Sequence, residues 1–258
     1  MKGSFPLDLE GTGYSYVERP NVVLVGLVEE VLRRNENARI LDIGCGAGAN
    51  PRALKAKWPH VAIQGVEPNA RAAEQARQAG IDVFHGMLHE WLATKPTGKW
   101  DVVVMSDVLE HIPDPVKFLR ELVAFEGVRD ATFVISVPNY AVWYNRILTA
   151  MGSFEYRWSG LYDRTHLRFF TRKSLEKLLG YMGLRAQTVR CTPSIVQSAA
   201  PILRRFFDQD VASGDHLSLG ESKAFKLYSA AVEPLETAVC RVWPELLGFQ
   251  IVVSAKRA

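Results

Sequence analysis

Asp42-Ile43-Gly44-Cys45-Gly46-Ala47-Gly48 places three glycines in five residues just after a carboxylate. Backbone without side chains can turn tightly and bring its N–H groups up to a ligand, most effectively where the loop opens a helix. Glu67 closes the next apolar run, about 20 residues further on, where a carboxylate accepts hydrogen bonds from ribose hydroxyls. Gly44, Gly46 and Ala49 also satisfy the GxGxxG/A dinucleotide fingerprint, so these residues leave a nicotinamide or flavin enzyme open. Asp42 favours another ligand. Its carboxylate is a poor neighbour for a pyrophosphate and a good one for the ammonium of a methionine-type amino acid.

Two of the six histidines sit where chemistry is expected. His111 follows the fourth apolar run, in Leu109-Glu110-His111-Ile112-Pro113, and His166 lies in Tyr162-Asp163-Arg164-Thr165-His166-Leu167-Arg168. An imidazole titrates near neutrality and can take a proton. His166 is the preferred base, because Asp163, Arg164 and Arg168 surround it and Asp163 could orient it. His111 is the second candidate, with a turn-fixing role as its alternative. His60, His85, His89 and His216 receive no catalytic role.

These groups need elements to position them. From Arg39 the chain alternates short apolar runs with longer amphipathic ones, the pattern of βα units around a parallel sheet. Strands are predicted over 39–43, 61–66, 81–85, 101–105, 131–136, 184–191 and 249–256, and helices notably over 69–79, 115–125 and 171–182. Pro68-Asn69 starts one helix, Gly80 ends it, and Thr171 caps another that Gly183 follows. Residues 14–34 read as an N-terminal helical segment that covers the cofactor, with Tyr14 and Arg19 contacting cofactor or acceptor. Two stretches exceed a minimal alternating fold. Residues 139–170 carry Tyr140, Trp143, Tyr144, Phe154, Tyr156 and Trp158, a possible wall for an acceptor, and 192–248 interrupts the last pair of strands.

On these residues the chain resembles the class I S-adenosylmethionine (SAM) dependent methyltransferases. Their first motif, Asp/Glu-x-Gly-x-Gly-x-Gly, is matched by Asp42, Gly44, Gly46 and Gly48. Gly65-Val66-Glu67-Pro68-Asn69 is similar to the second, with Glu67 as ribose ligand. The stretch from Asp101 to Pro113 resembles the fourth-strand motif, in which Ser106, Asp107 and Val108 would line the cofactor beneath its methionine moiety. Tyr162 to Thr171 resembles a segment after strand five of small-molecule methyltransferases, including enzymes acting on sugars and polysaccharide precursors. His85-Gly86-Met87-Leu88 departs from the pattern: many relatives have an aspartate where Met87 stands.

The resemblance implies a doubly wound, Rossmann-like α/β fold with a seven-stranded, mostly parallel sheet, an antiparallel last strand and helical insertions near the site. It implies SAM as cofactor, S-adenosylhomocysteine (SAH) as product and no metal, with Cys45, Gly86, Met87 and Leu88 among the cofactor contacts. The expected reaction is in-line methyl transfer to a hydroxyl of a small molecule, a sugar or glycoconjugate precursor being the candidate class, with a histidine base. Nitrogen or carbon methylation, an NAD(P)-dependent oxidoreductase and a non-catalytic SAM-binding subunit are the alternatives.

Composition narrows the field further. A chain of 258 residues suits one domain, here 1–258 with an N-terminal lid over 1–38. A net charge of +3, from 31 basic and 28 acidic residues without a basic run, argues against nucleic acid as partner. Three scattered cysteines form neither a disulfide framework nor a zinc motif. With no signal peptide pattern and no span of membrane length, a cytoplasmic protein is expected. Oligomeric state is not legible.

Overall fold

The computed structural model describes residues 19–157, 160–193, 240 and 243–258. Tyr14, Trp158, His216 and most of the 192–248 insertion lie outside the described residues, as does the expected lid before Arg19.

Seven strands form one sheet: β1 Arg39–Ile43, β2 Ala62–Glu67, β3 Asp82–His85, β4 Val102–Ser106, β5 Thr132–Pro138, β6 Leu184–Pro193 and β7 Gly248–Arg257. Their order is β3-β2-β1-β4-β5-β7-β6. β1 to β5 pair in parallel, and β7 alone runs antiparallel to both its neighbours, β5 and β6. Of the final antiparallel pair, β6 ends at Pro193 and β7 begins at Gly248.

Strand residues alternate between two cores, as a period of two dictates. Leu41, Ile43, Val103, Met105, Phe133, Ile135 and Val253 face one core, completed by helices α4 Leu88–Ala93, α5 Pro115–Ala124 and α7 Arg172–Tyr181. Ile40, Val102, Val104, Val134 and Val252 face the other, completed by α1 Val22–Leu32 and α2 Ala49–Lys57. α3 Ala70–Gln78 seats Ala73 and Ala76 on a smaller cluster with Cys45, Ile81 and Val83. Helix α6, Trp143–Ala150, belongs to the first insertion.

Local signals set several boundaries. The Asn69 side chain accepts from Ala72 N, Thr171 from Ser174 N and Asp114 from Lys117 N, satisfying N–H groups that a helix start leaves open. Gly80 and Gly183 follow α3 and α7 at φ 78° and 70°. The N-terminal segment differs from expectation. Leu24, Val25, Leu27, Val28 and Leu32 are buried against the sheet, so α1 is framework.

From β1 the chain moves outward to β2 and β3, then returns to β4 on β1's other side. The strand order reverses between β1 and β4, and the C-terminal edge at such a reversal is the usual ligand position in sheets of this kind. Among the described residues no helix is long and apolar enough to cross a membrane.

Candidate active site

The glycine loop leaves β1 at that edge. Gly44, Gly46 and Gly48 have φ of 71°, 54° and 83°, a region L side chains enter at a cost, and Gly48 caps α2. Gly44 N donates to Val66 O at 2.7 Å, holding the loop against β2. A Cβ on Gly44 would stand 2.7 Å from Val108 Cγ2, so the loops after β1 and β4 touch at this glycine.

Two carboxylates sit beneath the loop. Glu67 accepts from Gly46 N and Asn69 N, both at 2.8 Å, and thereby ties the end of β2 to the glycines. Carboxylate oxygens carry further lone pairs, so Glu67 keeps accepting capacity for a ribose. Asp42 is 2% exposed and its Oδ1 has no hydrogen-bond partner. Burial first, then repulsion by Glu67, push its carboxyl up to about 8. A cation beside it would restore the ionised form. Cys45 is buried between these acids, its thiol pushed up by burial and by Asp42, so it serves the loop as packing.

The expected adenine side is more open. Pro68 is exposed, and its carbonyl meets His85 Nε2 at 3.2 Å. Gly86 N donates to Glu67 O at 3.0 Å, and Gly86 itself has φ 152° with Phe84 and Glu90 crowding the place of a Cβ. Met87 is exposed, whereas the Leu88 side chain is committed to the main core. Leu88 was expected as a cofactor contact because of its place after Gly86; helical phase turns it inward.

At the end of β4, Ser106 Oγ lies 3.4 Å from Ser136 Oγ, and Asp107 adopts φ 54°. Asp107 N donates to Ser136 O and Ser136 Oγ, both at 3.1 Å, which holds that strained backbone in place. Gln250 Nε2 donates to Asp107 Oδ2 at 2.7 Å, while Gln250 Oε1 accepts from Asn21 Nδ2 at 3.3 Å. Asn21 N in turn donates to Asn50 Oδ1 at 2.8 Å. This chain of amides links the starts of α1, α2 and β7 to Asp107, whose carboxyl burial pushes up to about 6. Arg19 is exposed just before α1.

The fourth-strand motif continues into a 3-10 turn, Leu109–His111, that meets the 160s segment. Glu110 O accepts from Leu167 N at 2.8 Å and Arg168 N at 3.0 Å, and the Arg168 guanidinium donates to Pro113 O. These bonds bring His111 against His166, ring centroids 4.9 Å apart and edge to face. His111 Nδ1 meets Thr165 O at 3.2 Å and His166 Nδ1 meets Leu161 O at 3.0 Å. Burial, helped by the neighbouring His166, pushes His111 down to about 4, and burial also lowers His166, so both rings are neutral near pH 7. Asp163 shapes the turn: its Oδ1 accepts from Thr165 N at 2.9 Å and Thr165 Oγ1 at 2.7 Å, and its carbonyl accepts from His166 N at 3.0 Å. The Glu110 carboxyl lies beside the two rings, held far above the usual carboxylate range by burial and by Asp107.

In the first insertion Tyr140, Phe154, Tyr162 and Phe169 pack together, Phe154–Tyr162 edge to face with centroids 4.8 Å apart and Tyr140–Phe169 tilted at 5.1 Å. Trp143 and Tyr144 form a separate pair, and Tyr156 joins Phe154. Tyr162 OH donates to Asn145 Oδ1, which anchors α6 to this cluster.

Glu110, Ser136 and Gln250 belong to this site and were not singled out from sequence. Glu110 had a signal, a carboxylate inside an apolar motif beside His111. Gln250 had a weaker one, an amide interrupting the run Phe249 to Val253.

Residues 18–189 match a family profile described as "Methyltransferase domain". The chain is 29% identical over 150 residues to a ubiquinone biosynthesis O-methyltransferase of Aeromonas salmonicida, covering 57% of this chain and 62% of that protein. It is 36% identical over 76 residues to a trans-aconitate 2-methyltransferase of Mycobacterium ulcerans, 30% of this chain and 28% of that one. The chain thus spans less than two thirds of these curated relatives. Among solved structures, a SAM dependent methyltransferase from Archaeoglobus fulgidus superposes with a TM-score of 0.52 at 20% identity, covering 90% and 94% of the two chains. The plantazolicin methyltransferase BpumL, in complex with a monoazolic desmethylPZN analog and SAH, gives 0.54 at 14% identity, covering 92% of this chain and 82% of that one.

Proposed function

The chain belongs to the methyltransferase-domain family, and from that premise we propose that it binds SAM at the glycine loop and methylates a hydroxyl of a small molecule. The competing dinucleotide reading of Gly44, Gly46 and Ala49 loses its ground with that membership. The buried, unpartnered Asp42 oxygen supports the cofactor half, since the SAM ammonium is the cation such a carboxylate lacks. Glu67 at the end of β2 is suited to the ribose.

The observation that carries the acceptor half is the Glu110–His111–His166 cluster, built on the turn that follows β4. A hydroxyl attacking the methyl carbon must lose its proton as the new O–C bond forms and the C–S bond breaks, its electron pair passing to sulfur to give SAH. Each Nδ1 faces a carbonyl, which only accepts, so in the neutral ring Nδ1 carries the hydrogen and Nε2 the lone pair. In the simplest form of this reading His166 Nε2 takes the proton, with His111 beside it. The similarity to a ubiquinone biosynthesis O-methyltransferase supports oxygen as the accepting atom. The aromatic cluster of the first insertion favours an acceptor with a ring face, such as a sugar. A cytoplasmic, single-domain enzyme fits three cysteines that are buried and held in no disulfide.

The test is transfer of a labelled methyl group from SAM to a panel of sugar and aromatic hydroxyl acceptors, with His166→Ala beside the natural chain. The expected product carries label on oxygen, and the variant loses about 10²–10⁴ in turnover. Label on nitrogen or carbon, or full turnover in His166→Ala, would refute the reading. Nicotinamide binding without SAM binding would overturn the cofactor assignment as well.

A further inference from the structure

Glu110 is 1% exposed, and neither of its carboxyl oxygens has a hydrogen-bond partner. Buried polar groups are almost always satisfied, and an unpaired carboxylate is among the costliest to leave alone. Arg168, whose backbone N–H donates to Glu110 O, turns its guanidinium to the Pro113 carbonyl. The two histidines beside Glu110 are fixed from behind: Thr165 O holds His111 Nδ1 at 3.2 Å and Leu161 O holds His166 Nδ1 at 3.0 Å. Backbone carbonyls in that position orient metal-ligating imidazoles and leave Nε2 to donate its lone pair. One ligand atom from each of Glu110, His111 and His166 lies within 4.8 Å of the other two.

We infer that Glu110, His111 and His166 form a binding site for a divalent transition-metal ion at the turn that follows β4. Two imidazoles and one carboxylate suit zinc, manganese, iron(II), cobalt or nickel, whereas calcium and magnesium prefer sets made of oxygen. Ligands about 2.1 Å from one ion stand roughly 3.0–3.4 Å apart, and rotation of Glu110, which no hydrogen bond restrains, closes the remaining gap. Three protein ligands leave coordination positions for acceptor oxygens.

The catalytic use of the ion rests on the hydroxyl-methylation reading. A coordinated hydroxyl is more acidic, so its proton passes to solvent while its oxygen stays placed for attack. His166 is then a ligand in place of a base, and the metal keeps its oxidation state throughout.

The experiment strips the full chain with a chelator and titrates it with Co²⁺ and Zn²⁺, following the visible spectrum of bound cobalt and the heat of zinc binding. One equivalent per chain is expected. Glu110→Gln and His166→Ala should weaken it by more than about tenfold, the lower end of what even outer-shell losses cost, whereas the exposed-site control His60→Ala should leave it unchanged. Histidine side-chain NMR of the natural chain needs no variant: Zn²⁺ should shift the His111 and His166 Nε2 signals selectively. Absence of saturable binding, binding that survives both substitutions, or shifts confined to other histidines would overturn the site. Methyl transfer measured in parallel separates the two readings. Stoichiometric metal without hydroxyl methylation sinks the acceptor assignment and keeps the site. Hydroxyl methylation at full rate in chelator, with no metal bound, sinks the site and keeps the assignment.

Discussion

Gly44→Ala asks whether backbone geometry makes this cofactor loop, and its cost divides into two separable parts. Gly44 has φ 71°, a conformation that costs a residue bearing Cβ about 1–2 kcal/mol. The new methyl group would also lie 2.7 Å from Val108 Cγ2, an overlap of the kind that costs about 1–3 kcal/mol in a packed interior. The expected destabilisation is the sum, about 2–5 kcal/mol, a large share of the 5–15 kcal/mol that keeps a typical domain folded. Val108→Ala alone removes two methyl groups and costs about 1–2 kcal/mol. In the double variant the overlap is gone and the backbone strain stays, so the pair should be more stable than additivity predicts by about 1–3 kcal/mol. Urea unfolding of the four proteins at constant m-value measures this coupling. SAM affinity should fall in Gly44→Ala and recover in part in the double variant. A coupling within about 0.5 kcal/mol of zero, the ordinary scatter of additivity, would refute the contact between the β1 and β4 loops.

Other predictions follow from the buried polar groups. Asp42, facing Glu67 and the Cys45 thiol, has its carboxyl raised from 3.8 to about 8, so the folded chain binds more protons there than the unfolded chain between those values. Stability relative to Asp42→Asn should therefore fall as pH rises from about 4 to 8, read by thermal unfolding of both proteins without cofactor; a flat difference would remove the orphaned carboxylate from the account. Because an ammonium favours the ionised form, SAM binding at pH 7 should release a proton, seen by calorimetry in buffers of different ionisation enthalpy and lost in Asp42→Asn. Gln250→Leu strips Asp107 of a 2.7 Å hydrogen bond and leaves its carboxyl buried with fewer partners; a loss of about 1–3 kcal/mol in urea unfolding is expected, and no loss would show that the amide chain through Asn21 is incidental.

Much of the scaffold was legible without coordinates, because short-range causes set it. Strand and helix positions followed from hydrophobic period, and Asn69, Thr171, Gly80 and Gly183 marked ends through bonds and backbone angles within a few residues of themselves. The glycine loop was equally local: Asp42 to Gly48 and Glu67 announce a cofactor site wherever a strand delivers them. Phase was the first thing lost. Leu88 follows Gly86 in the motif yet points into the core, and residues 22–32, expected as part of a lid, are a buried helix because the sheet needed cover on that face. What only the tertiary structure decided is the chemistry of the acceptor side. Glu110 was visible as a letter in a motif, but its isolation depends on His166, Leu161 and Thr165, brought over it from beyond the fifth strand. Gln250 reaches Asp107 only because β7 enters the sheet antiparallel beside β5. Sequence determines which groups a chain can offer through its neighbours; which of them end up dry, unpaired and facing one another is a property of burial, and burial is settled by residues far away along the chain.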